Sequence, residues 1–301
     1  MNKIIIIAGP TASGKSQLAV DIAKKLSTYV LSADSMQIYK GMDIGTAKIT
    51  ESEMQGVKHY IIDVVRPNNK FSVSNYMNYA KPLIETIHNQ NKIPVICGGT
   101  GLYIDAILYP LTMGAKDDIV KNRLQEEYEK LGAEYMHSIL NAIDPVEAQK
   151  VHANNVKRVL RALEIFELTG QTKTEQTDRT KNLNYDTLLI VLNPDRDVMY
   201  DRINKRVDKM FNDGLEDEIK RLLDSGITFD CQSMQAIGYK EFKQYFDGNI
   251  TKDELIDEIK KNTRHYAKRQ VTWFKRYPFA KFVDINDKEK IMNMVETFIK
   301  E

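Results

Sequence analysis

Cysteine is scarce in these 301 residues: Cys97 and Cys231 stand far apart, and neither belongs to a CxxC pair. Two such residues support neither a disulfide framework nor a zinc site, and they make a reducing compartment the default. Long hydrophobic runs are absent as well. The apolar stretch at residues 4–7 ends at Gly9-Pro10, short of the ~7–15-residue core of a signal peptide. No stretch approaches the ~18 apolar residues of a membrane span. A soluble, cytoplasmic protein is expected. Charge of one sign is also lacking. The 43 Lys+Arg balance 42 Asp+Glu to a net charge of +1, so any polyanionic partner must be met by local clustering. His59, His88, His137, His152 and His265 show no ligand spacing and read as surface or packing residues.

What is present is an ordinary globular composition, 42% hydrophobic and 28% charged, which argues against disorder. At ~100–200 residues per domain, the length fits one large domain or a core with a second module. Apolar strand-like runs at residues 4–8, 29–32, 60–65, 92–97 and 188–192 alternate with helical segments at 16–26 and 74–89. Near-continuous apolar strands between helices predict an α/β fold, a parallel sheet covered on both faces. Residues 116–181 are different, rich in charge and without strand signal. Val120, Leu124, Tyr128 and Leu131 follow helical spacing, as do Met136, Ile139, Leu140 and Ile143. Asp144-Pro145 reads as a helix start, and residues 155–168 form another helix that stops near Thr169-Gly170. The expected division is a core of 1–115 and 182–301 with an all-helical insertion at 116–181.

Gly9-Pro10-Thr11-Ala12-Ser13-Gly14-Lys15-Ser16 matches G-x-x-x-x-G-K-[ST] between a strand and a helix. In such a loop, backbone N–H groups and the helix N-terminus face phosphate oxygens. Lys15 adds a point charge, and the Ser16 hydroxyl can hold Mg²⁺. An ordinary glycine-rich turn is the bland alternative, made improbable by the strand–loop–helix context. The loop alone specifies a di- or triphosphate. A nucleotide hydrolase needs a second strand ending in a magnesium-holding Asp, and the candidates are poor: one run ends in Gly98-Gly99-Thr100, and Asp63 sits inside its strand. The phosphate donor need not be a nucleotide.

Asp34 follows the second strand, in Ala33-Asp34-Ser35-Met36-Gln37-Ile38-Tyr39. Ligands of a doubly wound sheet bind at the carboxyl ends of the strands, which puts Asp34 beside the phosphate loop. It can act there as a general base or metal ligand, or simply cap the next helix. Gly98-Gly99-Thr100-Gly101-Leu102-Tyr103 follows another strand and offers close backbone approaches and one hydroxyl at the same edge.

With GPTASGKS, ADSMQIYKGMDIGTAK, GGTGLY and KRQVTWF in this order, the chain resembles the tRNA dimethylallyltransferases nearly end to end. The resemblance implies a P-loop-type fold that binds dimethylallyl diphosphate rather than ATP. It implies transfer of the C5 prenyl group to N6 of the adenosine 3′ of the anticodon. Residues Gly9 to Ser16 would cradle the diphosphate, and Ser16 would hold Mg²⁺. Asp34 would accept the N6 proton, while Ser35, Met36 and Gln37 would line the site of the flipped base. Thr100 would sit near the bridging oxygen, and Arg206, in preference to Arg202, would add charge to the leaving group. The resemblance further places Arg123 and the helix bearing Lys157, Arg158 and Arg161 on the anticodon arm of the tRNA, with Gln235, Ile237, Gly238, Tyr239 and Lys240 near the RNA. Tyr239 has two readings, a base-stacking ring or a buried turn residue. Family members with a C-terminal zinc segment differ from this sequence, which implies a compact bacterial type, expected to act as a monomer.

That chemistry suits these residue types. The N6 amine is a poor nucleophile and must be oriented and deprotonated as the C–N bond forms. The departing diphosphate needs positive charge, and the base must leave its stack. On residues 253–277 taken as one helix, Lys261, Arg264, Lys268, Thr272 and Lys275 fall within an arc of roughly 80°. Ile256, Ile259, Thr263, Tyr266, Gln270, Trp273 and Phe274 lie opposite. Such a stripe is either a solvated face or an RNA backbone contact. With the motifs present, RNA is the better reading, and Arg264, Lys268, Arg269 and Gln270 are the expected contacts. Two other functions compete: a P-loop small-molecule kinase with Asp34 as base, and a non-catalytic RNA-binding protein with a nucleotide switch.

Overall fold

The computed structural model describes residues 2–110, 117–176 and 183–301. In chain order the first elements are β1 (Lys3–Ala8), α1 (Lys15–Lys25), β2 (Val30–Ser32), α2 (Glu51–Met54), β3 (His59–Tyr60), α3 (Val73–Asn89), β4 (Val95–Gly98) and α4 (Gly101–Leu108). Then come α5 (Asp118–Ile143), α6 (Pro145–Lys150), α7 (Val156–Thr169) and α8 (Lys173–Gln176). The last are β5 (Asp186–Leu192), α9 (Arg196–Asn212), α10 (Leu215–Asp224), α11 (Phe242–Phe246), α12 (Lys252–Phe274), β6 (Lys281–Val283) and α13 (Lys288–Lys300). Two compact units result, Met1–Leu108 with Asn184–Glu301, and Tyr109–Leu183.

The larger unit is built on one six-stranded sheet in the order β3-β2-β4-β1-β5-β6, with every pairing parallel. Ile4, Ile5, Ile6 and Ile7 of β1 are fully buried, because a central parallel strand is covered on both faces. Ile5 and Ile7 share one cluster with Leu18, Ala19 and Ile22 of α1 and with Ile291, Val295 and Phe298 of α13. Lys281 and Phe282 of β6 are exposed, which leaves no alternating pattern to read; this edge strand is not among the strands expected from sequence. The run at 60–65 also forms less strand than expected. Ile61 and Asp63 adopt φ of 62° and 54°, which turns the chain out of the ladder, and β3 ends at Tyr60; Val65 rejoins only as a bridge to Tyr39.

The smaller unit is helical throughout its described residues. Leu124, Met136, Leu140, Val159 and Leu163 form its core, with Val120, Tyr128, Ile139 and Ile143 against them. Leu131 departs from the pattern and is exposed. The chain breaks its helical path at Gly132 (φ 83°, ψ 172°), so the apolar spacing before and after it belongs to two helices rather than one. Asp144 caps α6 by accepting from the Glu147 N–H, with Pro145 in the first turn. No helix among the described residues is long and apolar enough to cross a membrane.

Candidate active site

The loop between β1 and α1 is shaped by two glycines and one alanine. Gly9 has φ 148°, and a Cβ there would stand 2.7 Å from the Leu192 carbonyl oxygen. Ala12 and Gly14 adopt φ of 62° and 89°. Gly14 opens α1 with no side-chain cap, so the first-turn N–H groups keep their donors and their partial positive charge. The Ser13 hydroxyl is buried and bonds to no described residue. Lys15 curls over the loop, its Nζ donating to the Pro10 carbonyl at 3.1 Å. Burial pushes this ammonium below its ordinary range, and the Arg206 guanidinium adds to that, against the opposing pull of Cys97 and Asp34.

Two arginines of α9 compete in sequence for this loop, and Arg206 is the one that reaches it, donating from Nη1 to Thr11 Oγ1 at 3.2 Å. Burial lowers its pKa as well, opposed by Glu53 and Asp34. Two desolvated cations beside an uncapped helix start are costly unless an anion joins them. Beneath the loop, burial lifts the Cys97 thiol to about 12, and its Sγ donates to the Lys15 carbonyl at 3.6 Å.

Asp34 follows β2 at the same edge. Its Oδ1 accepts from the N–H of Met36 at 2.9 Å and of Gln37 at 3.3 Å. Capping therefore uses one oxygen, and among the described residues Oδ2 has no partner. The Gln37 amide turns inward, donating to the carbonyls of Thr46 and Ala47 at 3.4 and 3.2 Å. Thr100 Oγ1 accepts from the Ser35 N–H at 3.0 Å, and its hydroxyl donates to Ser35 Oγ at 3.3 Å. The loops carrying Asp34 and Thr100 are thus tied together, as their adjacent strands β2 and β4 require.

The inner face of α12 closes the site. Gln270, 6% exposed, accepts from the Thr11 N–H at 2.9 Å and donates to the Gly99 carbonyl at 3.0 Å. Tyr266, one turn earlier, sets its hydroxyl beside Thr100 and Gln270. The glycines of the GGTG loop were expected to approach a ligand. Instead a Cβ at Gly99 would meet Gln270 Nε2 at 2.2 Å, and one at Gly101 would meet the Trp273 ring at 2.3 Å. These two make room for α12, whereas a Cβ at Gly98 would meet the Ala33 carbonyl oxygen at 2.1 Å.

Three residues expected at the RNA surface make contacts within the protein. Gln270 faces the loops rather than solvent, because its amide satisfies two backbone groups. Tyr239 is fully buried, so its ring cannot stack on a base; its hydroxyl donates to Glu218 Oε1 at 2.6 Å. Gly45 leaves the space, since a Cβ there would lie 2.5 Å from that ring. Arg264 is half-buried, donating to Asn204 Oδ1 at 2.6 Å with its guanidinium over the Tyr200 ring. Lys261, Lys268, Arg269, Thr272 and Lys275 are exposed and form the outer stripe. Gly238 is buried, its N–H donating to Glu241 Oε2 at 2.8 Å. Gln235 and Lys240 are exposed, although the Gln235 amide donates to the Phe229 carbonyl at 2.6 Å.

In the helical unit, Lys157 and Arg158 are exposed, Arg161 pairs with Glu164 at 2.6 Å, and Arg123 pairs with Glu127 and Glu167. Sequence reading missed Glu218. Its Oε2 accepts from the N–H groups of Asp43 and Ile44 at 2.8 and 2.7 Å, and Oε1 from Gly45 at 3.2 Å. It also missed Lys48, whose Nζ donates to the Tyr39 carbonyl, Asp43 and Asp63. The GMDIGTAK run is therefore a clamped loop. The described residues hold no cluster of three or more His, Cys, Asp or Glu suited to a metal. Ser16, exposed beside the loop, fits a cation completed by phosphate oxygens and water, as Mg²⁺ prefers.

Against known proteins, a family model described as IPP transferase matches residues 37–277. A protein of Bacillus cytotoxicus named tRNA dimethylallyltransferase is 48% identical over 96% of this chain and 92% of its own length. Among solved structures, the tRNA isopentenylpyrophosphate transferase of Bacillus halodurans is 44% identical, with a TM-score of 0.75 over 100% of this chain and 97% of its own. A eukaryotic dimethylallyltransferase described as acting on tRNA is 31% identical, with a TM-score of 0.77 over 91% of this chain and 70% of its own.

Proposed function

The chain belongs to the IPP transferase family of tRNA dimethylallyltransferases, and on that premise we propose that it transfers the dimethylallyl group of dimethylallyl diphosphate to N6 of the adenosine 3′-adjacent to the anticodon. Diphosphate is released. The observation that carries this reading is the convergence of two half-buried cations, Lys15 and Arg206, on the phosphate loop, beside a carboxylate that spends Oδ1 on two N–H groups and leaves Oδ2 unengaged among the described residues. The relatives are transferases acting on tRNA, which sets aside both the kinase and the non-catalytic readings.

In this reading the diphosphate lies against the N-terminus of α1, between Lys15 and Arg206, with Ser13 Oγ as a further donor. As the C–N bond forms, the allylic C–O bond breaks and its electron pair stays on the diphosphate, where the cations stabilise it. The N6 proton passes to Asp34 Oδ2, while Oδ1 keeps its two N–H donors and so holds the carboxylate in place. Thr100 is fixed to Ser35, the residue after this acid. Ser16 would hold Mg²⁺ through its hydroxyl; when bound, the ion supplies further positive charge to the leaving group. The exposed stripe of α12 meets the anticodon stem-loop backbone, with Lys157 and Arg158 of the helical unit as further contacts. A cytosolic enzyme acting as a monomer completes this reading.

The test is incubation with unmodified tRNA, Mg²⁺ and either labelled dimethylallyl diphosphate or labelled ATP. Label is expected in tRNA from the prenyl donor alone. Asp34→Ala is expected to lower the rate by roughly 10²-fold or more while tRNA still binds. Normal turnover in that variant removes Asp34 as the base, and label arriving from ATP overturns the prenyl reading.

A further inference from the structure

Gln270 sits on the same helix as the exposed lysines and faces the other way. Its side chain joins, through two hydrogen bonds, the loop that takes the diphosphate and the loop that carries Thr100, beyond the point where their strands stop pairing at Ala8 and Gly98. It accepts from Thr11 N–H and donates to Gly99 O. Both partners are main-chain atoms, so the bonds report where the loops are rather than which side chains they carry.

We propose that Gln270 is a positioning residue for prenyl transfer, setting the spacing between the donor loop at Thr11 and the acceptor-side loop at Gly99-Thr100. The proposal rests on the reaction assigned above. A primary amide carries a donor and an acceptor on separate atoms of one planar group, so it can accept from one loop and donate to the other at once. An ionised carboxylate offers acceptors only, and a thioether neither to any strength. Gly99 is part of the same device: a Cβ there would lie 2.2 Å from Gln270 Nε2 and would displace the amide, the mobile end of its side chain. Neighbours on the helix face repeat the pattern, with Tyr266 beside Thr100 and Trp273 against Gly101.

Two consequences follow for the reaction. The Thr11 N–H is committed to Gln270 and is not one of the donors facing the diphosphate; Thr11 contributes through Oγ1, which receives Arg206. Beyond the strand ends, this amide helps set the distance between Asp34, held to Thr100 through Ser35, and the allylic carbon above the donor loop. A displacement of about 1 Å in such a geometry can cost on the order of 10²-fold in rate.

The experiment compares wild type with Gln270→Met, Gln270→Glu and Gly99→Ala in three measurements: kcat at saturating tRNA and donor, tRNA Kd, and amide exchange at Thr11. Gln270→Met and Gly99→Ala are expected to lower kcat at least 10-fold, to speed Thr11 exchange at least 10-fold, and to leave tRNA Kd within 2-fold. Gln270→Glu keeps an acceptor for Thr11 but turns negative charge towards Gly99 O. Its activity relative to wild type is expected to rise as pH falls and the introduced carboxyl regains a proton to donate; a purely structural role would give no such rise. An RNA contact would instead weaken tRNA binding with kcat at saturation unchanged, and that result overturns the proposal. So does unaltered Thr11 exchange in both Gln270→Met and Gly99→Ala. If wild type transfers no prenyl group, the assigned reaction fails, while the exchange arm still decides whether Gln270 holds the two loops.

Discussion

At the scale of the residue, buried polar groups decide where the ligand-facing loops lie. Glu218, 3% exposed, receives three backbone N–H groups and the Tyr239 hydroxyl. Removing its carboxylate strands four donors, so Glu218→Ala is expected to cost about 3 kcal/mol or more in urea unfolding. Tyr239→Phe removes one donor from a carboxylate that retains three, and about 1–2 kcal/mol is expected. Should that variant instead keep its stability and lose tRNA affinity, the hydroxyl contacts RNA and the buried placement is wrong. Lys15, Asp34 and Thr100 are legible in the sequence because each sits in a short motif at a strand end. Gln270 is not: its partner Thr11 is 259 positions away, and the acceptor or donor it meets is backbone, which leaves no trace in residue type. Tyr239 had two readings for a similar reason, since the space it fills is made by Gly45.

At the scale of the element, α12 has two faces with different work. Thr251 and Glu254 form a capping box at its start, and Leu255, Ile259, Ala267 and Phe274 bury one side. The helical period alone revealed this division, and it placed the lysines correctly on the outside. It could not show that Arg264, at the margin of the stripe, leans into α9 to bond Asn204. The two kinds of cation are separable by salt titration. Lys268→Ala and Lys275→Ala are each expected to lower the slope of log affinity for tRNA against log salt by about 1. Arg264→Ala is expected to destabilise the fold by about 1–2 kcal/mol through its lost hydrogen bond and ring contact. An unchanged slope in both lysine variants removes this helix from the RNA surface. Strand prediction erred where the backbone, not the side chains, sets the limit: Ile61 and Asp63 carry ordinary strand-run neighbours yet adopt left-handed φ.

At the scale of the whole molecule, many titratable groups are buried around the sheet edge, and they bias stability with pH. Burial raises the phenols of Tyr39, Tyr76, Tyr103, Tyr239 and Tyr266 above their ordinary 10.0, and the Cys97 thiol from 9.0 to about 12. Above those ordinary values the unfolded chain binds fewer protons than the folded one, so stability falls as pH rises. Lys15, whose pKa is lowered, acts in the opposite sense but is one group against six. Urea midpoints are expected to be level from pH 7 to about 9 and to drop progressively above it; a level profile to pH 11.5 would contradict this burial.

The sheet also has a consequence for synthesis. β1 lies between β4 and β5, and β6 with α13 completes one flank from residues beyond 280. Residues 109–183, contiguous and with a core of their own, can consolidate soon after leaving the ribosome. The first strand made must wait for almost the last, so a translating ribosome displays a finished helical module hung on a half-built sheet, and a pause late in the message prolongs the period in which that open edge is exposed to chaperones and to other nascent chains.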